Sequence, residues 1–247
     1  MMERRYNYHK GNADKEFELE SYRKCVQEKR ELDKFLETII TPYIENKSLK
    51  ILDAPCGIGH ISYFLNDISP SSSFFGIDQT PWMIEEAKKL CHEKQNITFQ
   101  VGDLYDVLPD YKKTFDITIN WRTLSWIPYY DEMLKLLFHS TKKHIFLSSL
   151  FYDGDIDFET KVREYQKEVG ENQFNYYCNV YSFTRFKEFA YSLGAKDVKS
   201  YNFHINKDIP KPSIDQFSSY TLKLENGERL QVGGTIILPW KVIQIDL

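Results

Sequence analysis

The chain of 247 residues carries a formal net charge of −4 with both signs interspersed, which argues against a nucleic-acid backbone binder, although a mildly acidic total leaves room for a local basic groove. No apolar run approaches the ~18 residues of a membrane-spanning helix, the opening MMERRYNYHKGNADKEFELE lacks a signal-peptide core, and four scattered cysteines without a CxxC pair suit reduced thiols in a cytoplasm. The length predicts a single α/β domain with a sizeable core, rich in aromatics with 17 Tyr, 17 Phe and 4 Trp.

Residues 14–46 read as helix, with Leu19, Tyr22, Val26, Leu32, Phe35, Leu36 and Ile39 at helical spacing. Pro42 and Glu45-Asn46-Lys47-Ser48 close the stretch, and residues 1–48 are expected to form a helical cap. Over residues 49–150 short apolar strands then alternate with helices. The strands are 50–54, 73–78, 97–101, 115–120 and 144–149, and the helices are 57–66, 81–93, a short one after 101, and 129–139. Such alternation predicts βαβ units, a parallel sheet and right-handed crossovers.

Residues 151–181 are polar and read as an insertion over the sheet edge or active site, with a helix over 157–169. From 182 to 247 the expectation is a helix over 182–193 ended by Gly194, a strand at 198–205 and a hairpin turning at Asn226-Gly227. A last strand covers 235–247, and its Pro239 implies an edge or a bulge.

In an open parallel sheet, ligands sit beyond the carboxyl ends of the strands. The first strand ends in Asp53-Ala54-Pro55-Cys56-Gly57-Ile58-Gly59-His60, where Gly57 and Gly59 permit a tight turn and close backbone approach. Asp78 ends the second strand, Gly102-Asp103 the third and Asn120 the fourth. Ser62 stands where the dinucleotide fingerprint needs its third glycine, so a nicotinamide dehydrogenase fits poorly, and no Walker phosphate loop occurs. The plain alternatives remain open: Asp53 and Asp78 as helix caps, Asp103 as a turn residue, Cys56 as a packing residue without a base to activate it. The histidines show no metal-ligand spacing, so no metal is expected.

Taken together, ILDAPCGIGHIS, FFGIDQTPWMIEEAKK, ITFQVGDLYD and FDITINWRTLSWIP are similar, in order and spacing, to the motifs of the Rossmann-like S-adenosylmethionine-dependent methyltransferases of small-molecule type. GAKDVKSYNFHI resembles that family's sixth-strand region, so the resemblance spans about residues 49–205. It implies a doubly wound seven-stranded α/β sheet, mostly parallel with an antiparallel last strand, and S-adenosyl-L-methionine as cofactor. By resemblance, Asp53 would orient the methionine ammonium, and backbone at Ala54, Cys56 and Gly57, with Gly59 in the same loop, would line the methionyl side. Asp78 would accept the ribose hydroxyls, and Gln79 and Met83 would flank the adenine. Asp103 would accept from the adenine amino group with Gly102 and Leu104 beside it, and Asn120 would mark the floor near the methyl. Pro55-Cys56 departs from the family pattern and puts one backbone contact there in doubt.

The same resemblance locates the acceptor among the cap, the fourth-strand loop and the insertion. Tyr8, Trp121, Arg122, Trp126 and Tyr152 would line an aromatic-walled pocket, with Arg122 holding an anionic group. His9 is the candidate base if a hydroxyl is methylated. The alternative is that the tryptophans only pack beneath the insertion. The double-glutamate loop of protein-arginine methyltransferases and the N-P-P-[YF] motif of nucleic-acid amino methylators are both absent, which favours a small-molecule acceptor. The competing functions are an RNA or protein methyltransferase and a non-catalytic cofactor-binding partner of another subunit.

Overall fold

A computed structural model describes residues 15–163, 165, 176–212 and 218–247. Two helices, α1 (Lys15–Gln27) and α2 (Glu31–Ile44), stand where one was expected. The break falls at Arg30, whose extended backbone (φ −62°, ψ 148°) caps α2 and receives the amides of Asp33 and Lys34. The run Glu28-Lys29-Arg30 offers no apolar contact that would hold the chain helical through the corner. Pro42 sits inside the last turns of α2 and does not end it.

The alternating region gives β1 (Lys50–Asp53), α3 (His60–Ile68), β2 (Ser73–Asp78), α4 (Pro81–Leu90), β3 (Ile97–Val101), α5 (Leu104–Val107), β4 (Phe115–Trp121), α6 (Asp131–Ser140) and β5 (Thr141–Tyr152). Helix α3 starts three residues later than expected, because Gly57 and Gly59 take positive φ (53° and 72°) and form the turn itself. Pro81 opens α4, where its missing N–H removes nothing from the helix.

Beyond β5 the order is β6 (Lys161–Val162), β7 (Tyr176–Tyr177), β8 (Tyr181–Ser182), α7 (Phe183–Ser192), β9 (Asp197–Asn202), β10 (Ser219–Lys223), β11 (Arg229–Gly233), β12 (Ile236–Ile237) and β13 (Trp240–Asp246). The main sheet runs β3-β2-β1-β4-β5-β13-β9, with short β8 paired to the end of β5. From β3 to β5 every pairing is parallel, and β13 is antiparallel to both β5 and β9. The strand order reverses between β1 and β4, which opens a crevice at their carboxyl ends.

Alternate residues of the strands feed two cores. Ile51, Ile117, Ile119, Phe146 and Val242 pack under α2 and α3, while Leu52, Ile145, Leu147, Ile243 and Ile245 pack under α6 and α7. The sheet is therefore covered on both faces, as parallel strands require.

Two expectations fail after β5. Residues 157–163 are not helical: Phe158 bridges Val180, and Lys161–Val162 pairs antiparallel with Tyr176–Tyr177. The segment has no helical apolar period, and Asp157 instead accepts the Ser182 amide at 2.6 Å. Residues 164 and 166–169 of that expected helix lie outside the described residues. Pro239 marks neither an edge nor a bulge, since β13 lies inside the sheet and Pro239 precedes it, its carbonyl accepting the Phe151 amide at 3.1 Å. The Asn226-Gly227 turn joins β10 to β11, with Gly227 at φ 85°, and β12 completes a separate small sheet. No helix among the described residues is long and apolar enough to cross a membrane.

A candidate cofactor and acceptor site at the carboxyl ends of the strands

Asp53 closes β1 at 1% exposure. Its Oδ2 accepts both the hydroxyl (2.7 Å) and the amide (3.3 Å) of Ser62, while Oδ1 has no partner. Ser62 therefore anchors Asp53, a role invisible when it is read only as a missing glycine. Burial raises the Asp53 carboxyl to about 7, against the Ser62 bonds that lower it, and the like charge of Asp78 adds to the rise.

The glycine loop is fastened to β2 by Asp78. Its Oδ2 accepts the Gly57 amide and its Oδ1 the Thr80 amide, each at 2.9 Å. The amide of Cys56 goes to the Ile77 carbonyl, and the amide of Gly59 to the Cys56 carbonyl. The two glycines differ in what they permit. A Cβ on Gly57 would meet no atom within 4 Å, so the backbone there borders open space. A Cβ on Gly59 would lie 2.6 Å from the Phe99 ring, so that glycine lets the loop press onto β3. Burial pushes the Cys56 thiol well above its ordinary range, which leaves it a packing group.

Asp103 caps α5 by accepting the Tyr105 amide at 2.9 Å, and Gly102 donates its amide to the Asp78 carbonyl. Leu104 is buried in the core beneath α5. Asn120, fully buried near the end of β4, donates to the Ala54 carbonyl at 2.7 Å and keeps an unpartnered Oδ1.

Helix α1 lies across this crevice. Leu19 packs with Ile58 of the glycine loop and with Met83 of α4, and Arg23 pairs with Glu86 at 3.2 Å. Met83 thus has a fully buried core position under α1, where the resemblance would set it against an adenine. Gln79 is half-buried at the start of the turn into α4.

Beside it stands a second group of polar side chains. Trp121 donates from Nε1 to Asp33 Oδ1 at 2.8 Å. Asp33 Oδ2 lies 3.8 Å from His60 Nε2, and neither that oxygen nor either ring nitrogen of His60 has a hydrogen-bond partner. Arg122 adopts a left-handed backbone (φ 55°), its amide donates to Ser148 Oγ at 2.9 Å, and its guanidinium lies 5.3 Å from the Trp240 ring centroid. Burial lowers Arg122 to about 10, with the like charge of Arg30 adding to the fall, so it stays a cation at neutral pH. The same causes hold His60 at about 4, where burial outweighs the attraction of Asp33.

Trp121 and Arg122 thus converge with Arg30, Asp33, His60 and Trp240. Trp126 instead meets the insertion, edge-on to Tyr176 at 5.7 Å, and Tyr152 is exposed and packs edge-on to Phe158 at 5.6 Å. Tyr8 and His9 lie outside the described residues. Asp33 and His60 were missed as site residues, although both carried a signal. His60 directly follows Gly59 at the strand ends, and Asp33 is an acid among the inward-facing positions of an amphipathic helix.

Against known families, residues 45–208 match the model of the methyltransferase domain family. The chain belongs to that family. Its fold and ordered motifs are those of the Rossmann-like class that uses S-adenosylmethionine. Among curated proteins it is similar to malonyl-[acyl-carrier protein] O-methyltransferase of Bacillus anthracis, with 25% identity over 67% of this chain and 71% of that one. It is also similar to malonyl-[acyl-carrier protein] O-methyltransferase 1 of Ilyobacter polytropus, with 31% identity over 46% of this chain but only 38% of that one. Among solved structures, 1,6-didemethyltoxoflavin-N1-methyltransferase of Burkholderia thailandensis, solved with S-adenosylhomocysteine, shares the fold. Its TM-score is 0.59 at 12% identity, over 93% of this chain and 85% of that one.

The side chains suit the family's cofactor. The unpartnered Asp53 Oδ1, Asn120 Oδ1 and Thr80 Oγ1 are buried oxygens around a loop whose Gly57 faces open space. Buried acceptors left without donors are costly, and an ammonium and ribose hydroxyls are donors. When bound, the cofactor supplies a methyl group activated on a sulfonium.

Proposed function

We propose that this methyltransferase acts on a small acid whose carboxylate or phosphate is held by Arg122. The observation that carries the reading is a half-buried guanidinium at the end of β4 that forms no ion pair among the described residues. A planar cation over an aromatic face, with Asp33 nearby but not in ion-pair contact, is suited to bidentate capture of an anion. The curated relatives are named for malonyl-[acyl-carrier protein], which carries an acidic acyl group, and this supports an anionic acceptor here. In this reading Asp53, Asn120 and the Gly57 backbone hold the methionyl part of the cofactor, Asp78 the ribose and Asp103 the adenine. The four buried, unpaired cysteines suit a reducing compartment, and the cytoplasm is the location that goes with them.

The test is to fractionate a metabolite extract on an anion exchanger and offer each fraction with methyl-labelled S-adenosylmethionine. Labelled product should arise from the retained, anionic fraction. Label appearing only in neutral and cationic fractions would remove the acid from the account.

The Asp53 carboxyl gives a pH prediction. Its folded value of about 7 exceeds that of an unfolded carboxyl, so without ligand it contributes stability below about pH 4 that is lost as pH rises towards 7. A bound ammonium favours the ionised form. Affinity for S-adenosylhomocysteine should therefore fall as pH drops below 7, by up to about tenfold per unit, and Asp53→Asn should flatten the dependence. Calorimetry between about pH 5.5 and 8 checks this, and a flat wild-type profile would take the ammonium away from Asp53.

A further inference from the structure

Resting on the Arg122 reading above, we propose that Arg30 and Arg122 together bind the acid, and that His60, oriented by Asp33, accepts a proton from the atom that is methylated. The acceptor class is then an acid that also carries an O–H or N–H nucleophile. A carboxylate methylated on its own oxygen is a different class.

Four separate segments converge here. Arg30 is at the corner between α1 and α2, Asp33 on α2, His60 at the start of α3 and Arg122 just past β4. The Arg30 guanidinium lies 5.6 Å from the Tyr22 ring centroid and that of Arg122 lies 5.3 Å from Trp240. Neither takes part in an ion pair among the described residues, and each lowers the proton affinity of His60. Asp33 offsets part of the charge on Arg122 but forms an ion pair with neither guanidinium, so two cations face one carboxylate and call for a further anion. The groups facing His60 are Tyr22 on α1, Arg30, Asp33, Phe64 on α3 and Arg122.

Beside the cations the requirement is the opposite. His60 is 7% exposed with both ring nitrogens unpartnered, and Asp33 Oδ2 is likewise unpartnered 3.8 Å away. Asp33 cannot swing freely, because its other oxygen holds the Trp121 indole at 2.8 Å. A neutral imidazole has one N–H and one lone pair. With its N–H on Nε2, towards Asp33 Oδ2 3.8 Å away, the imidazole would leave the lone pair on Nδ1 to accept. An acid with no further proton would fill the arginines and leave His60 and Asp33 as they are. An acid with a hydroxyl or amine fills both.

The chemistry balances. The acceptor's lone pair forms the bond to the methyl carbon as the carbon–sulfur bond breaks with its electrons left on sulfur. The acceptor's proton goes to His60, so the positive charge of the sulfonium becomes that of the imidazolium, which returns the proton to water after release. Burial and the two guanidiniums keep the imidazole neutral beforehand. The bound acid offsets those cations and raises its basicity at the time of reaction.

The test uses the full chain with S-adenosylhomocysteine, and benzoate and its 2-, 3- and 4-hydroxy isomers as probes. At least one hydroxy isomer should bind about tenfold more tightly than benzoate by calorimetry. With that isomer alone, the 15N resonance of the unprotonated His60 nitrogen should move upfield, as hydrogen-bond acceptance does. His60→Leu should abolish the preference, and His60→Asn, which can accept a hydrogen bond, should retain most of it with an unchanged melting temperature. Arg30→Met and Arg122→Met should weaken every probe. A best isomer no tighter than benzoate, or a preference surviving in His60→Leu, overturns the proton-acceptor proposal alone. Affinities indifferent to Arg122→Met, or no binding of any probe, overturn the acid reading with it.

Discussion

Arg122→Met should lower kcat/KM for the anionic acceptor by roughly 10- to 100-fold, the range expected when a charge-assisted bidentate contact is lost. Methionine keeps the unbranched apolar stem and removes the guanidinium, and with it the charge, its donors and its contact with the Trp240 ring. Affinity for S-adenosylhomocysteine should hardly change, since the cofactor contacts assigned to Asp53, Asp78 and Asp103 lie on β1, β2 and the turn after β3. The rival role is structural: a long side chain covering Trp240 with its stem. Under that role the variant loses melting temperature and keeps its kinetics. The left-handed backbone at Arg122 does not confuse the comparison, because both residues bear the same strain at φ 55°.

Asp78→Ala is the second large effect, expected in cofactor binding. A carboxylate accepting two hydroxyls contributes on the order of 2–3 kcal/mol, or roughly 30- to 150-fold in affinity. The sequence alone predicts that the fold is untouched by this change. The structure corrects that expectation, because Asp78 also accepts the amides of Gly57 and Thr80 at 2.9 Å each. Removing it strands one donor on each side of the crevice, so a fall in stability of about 1–3 kcal/mol should accompany the loss of binding. Asp78→Asn separates the two effects: its amide oxygen can still accept the Thr80 amide, while the charge is gone. If Asp78→Ala lost stability but bound S-adenosylhomocysteine as tightly as the parent, Asp78 would be a capping residue and nothing more.

The sheet was legible because each parallel strand is a short apolar run with a polar residue at or near its end, and Ser73–Asp78 and Ile97–Val101 fall where the pattern puts them. The glycine loop was legible for the same reason, since Gly57 and Gly59 stand where a strand must turn into a helix. What could not be read depends on contacts between distant residues. The helix expected from residue 157 gives way over 157–163 to pairing with residues 176–180, contacts that local composition does not announce. The single cap helix divides at Arg30 because α1 turns to cover Ile58 and Met83, contacts more than thirty residues away. Ser62 counted only as a missing glycine until its hydroxyl met Asp53. Arg30, Asp33, His60 and Arg122 come from four stretches of chain, and no local pattern announces that they share one cluster.

The central claim is that the crevice between β1 and β4 holds an S-adenosyl cofactor and not a dinucleotide. Calorimetric titration of the full chain with S-adenosylhomocysteine and, separately, with NAD tests it most directly. The account predicts binding of S-adenosylhomocysteine with micromolar-order affinity, about −8 kcal/mol, and no detectable binding of NAD. Binding of NAD without binding of S-adenosylhomocysteine would contradict it.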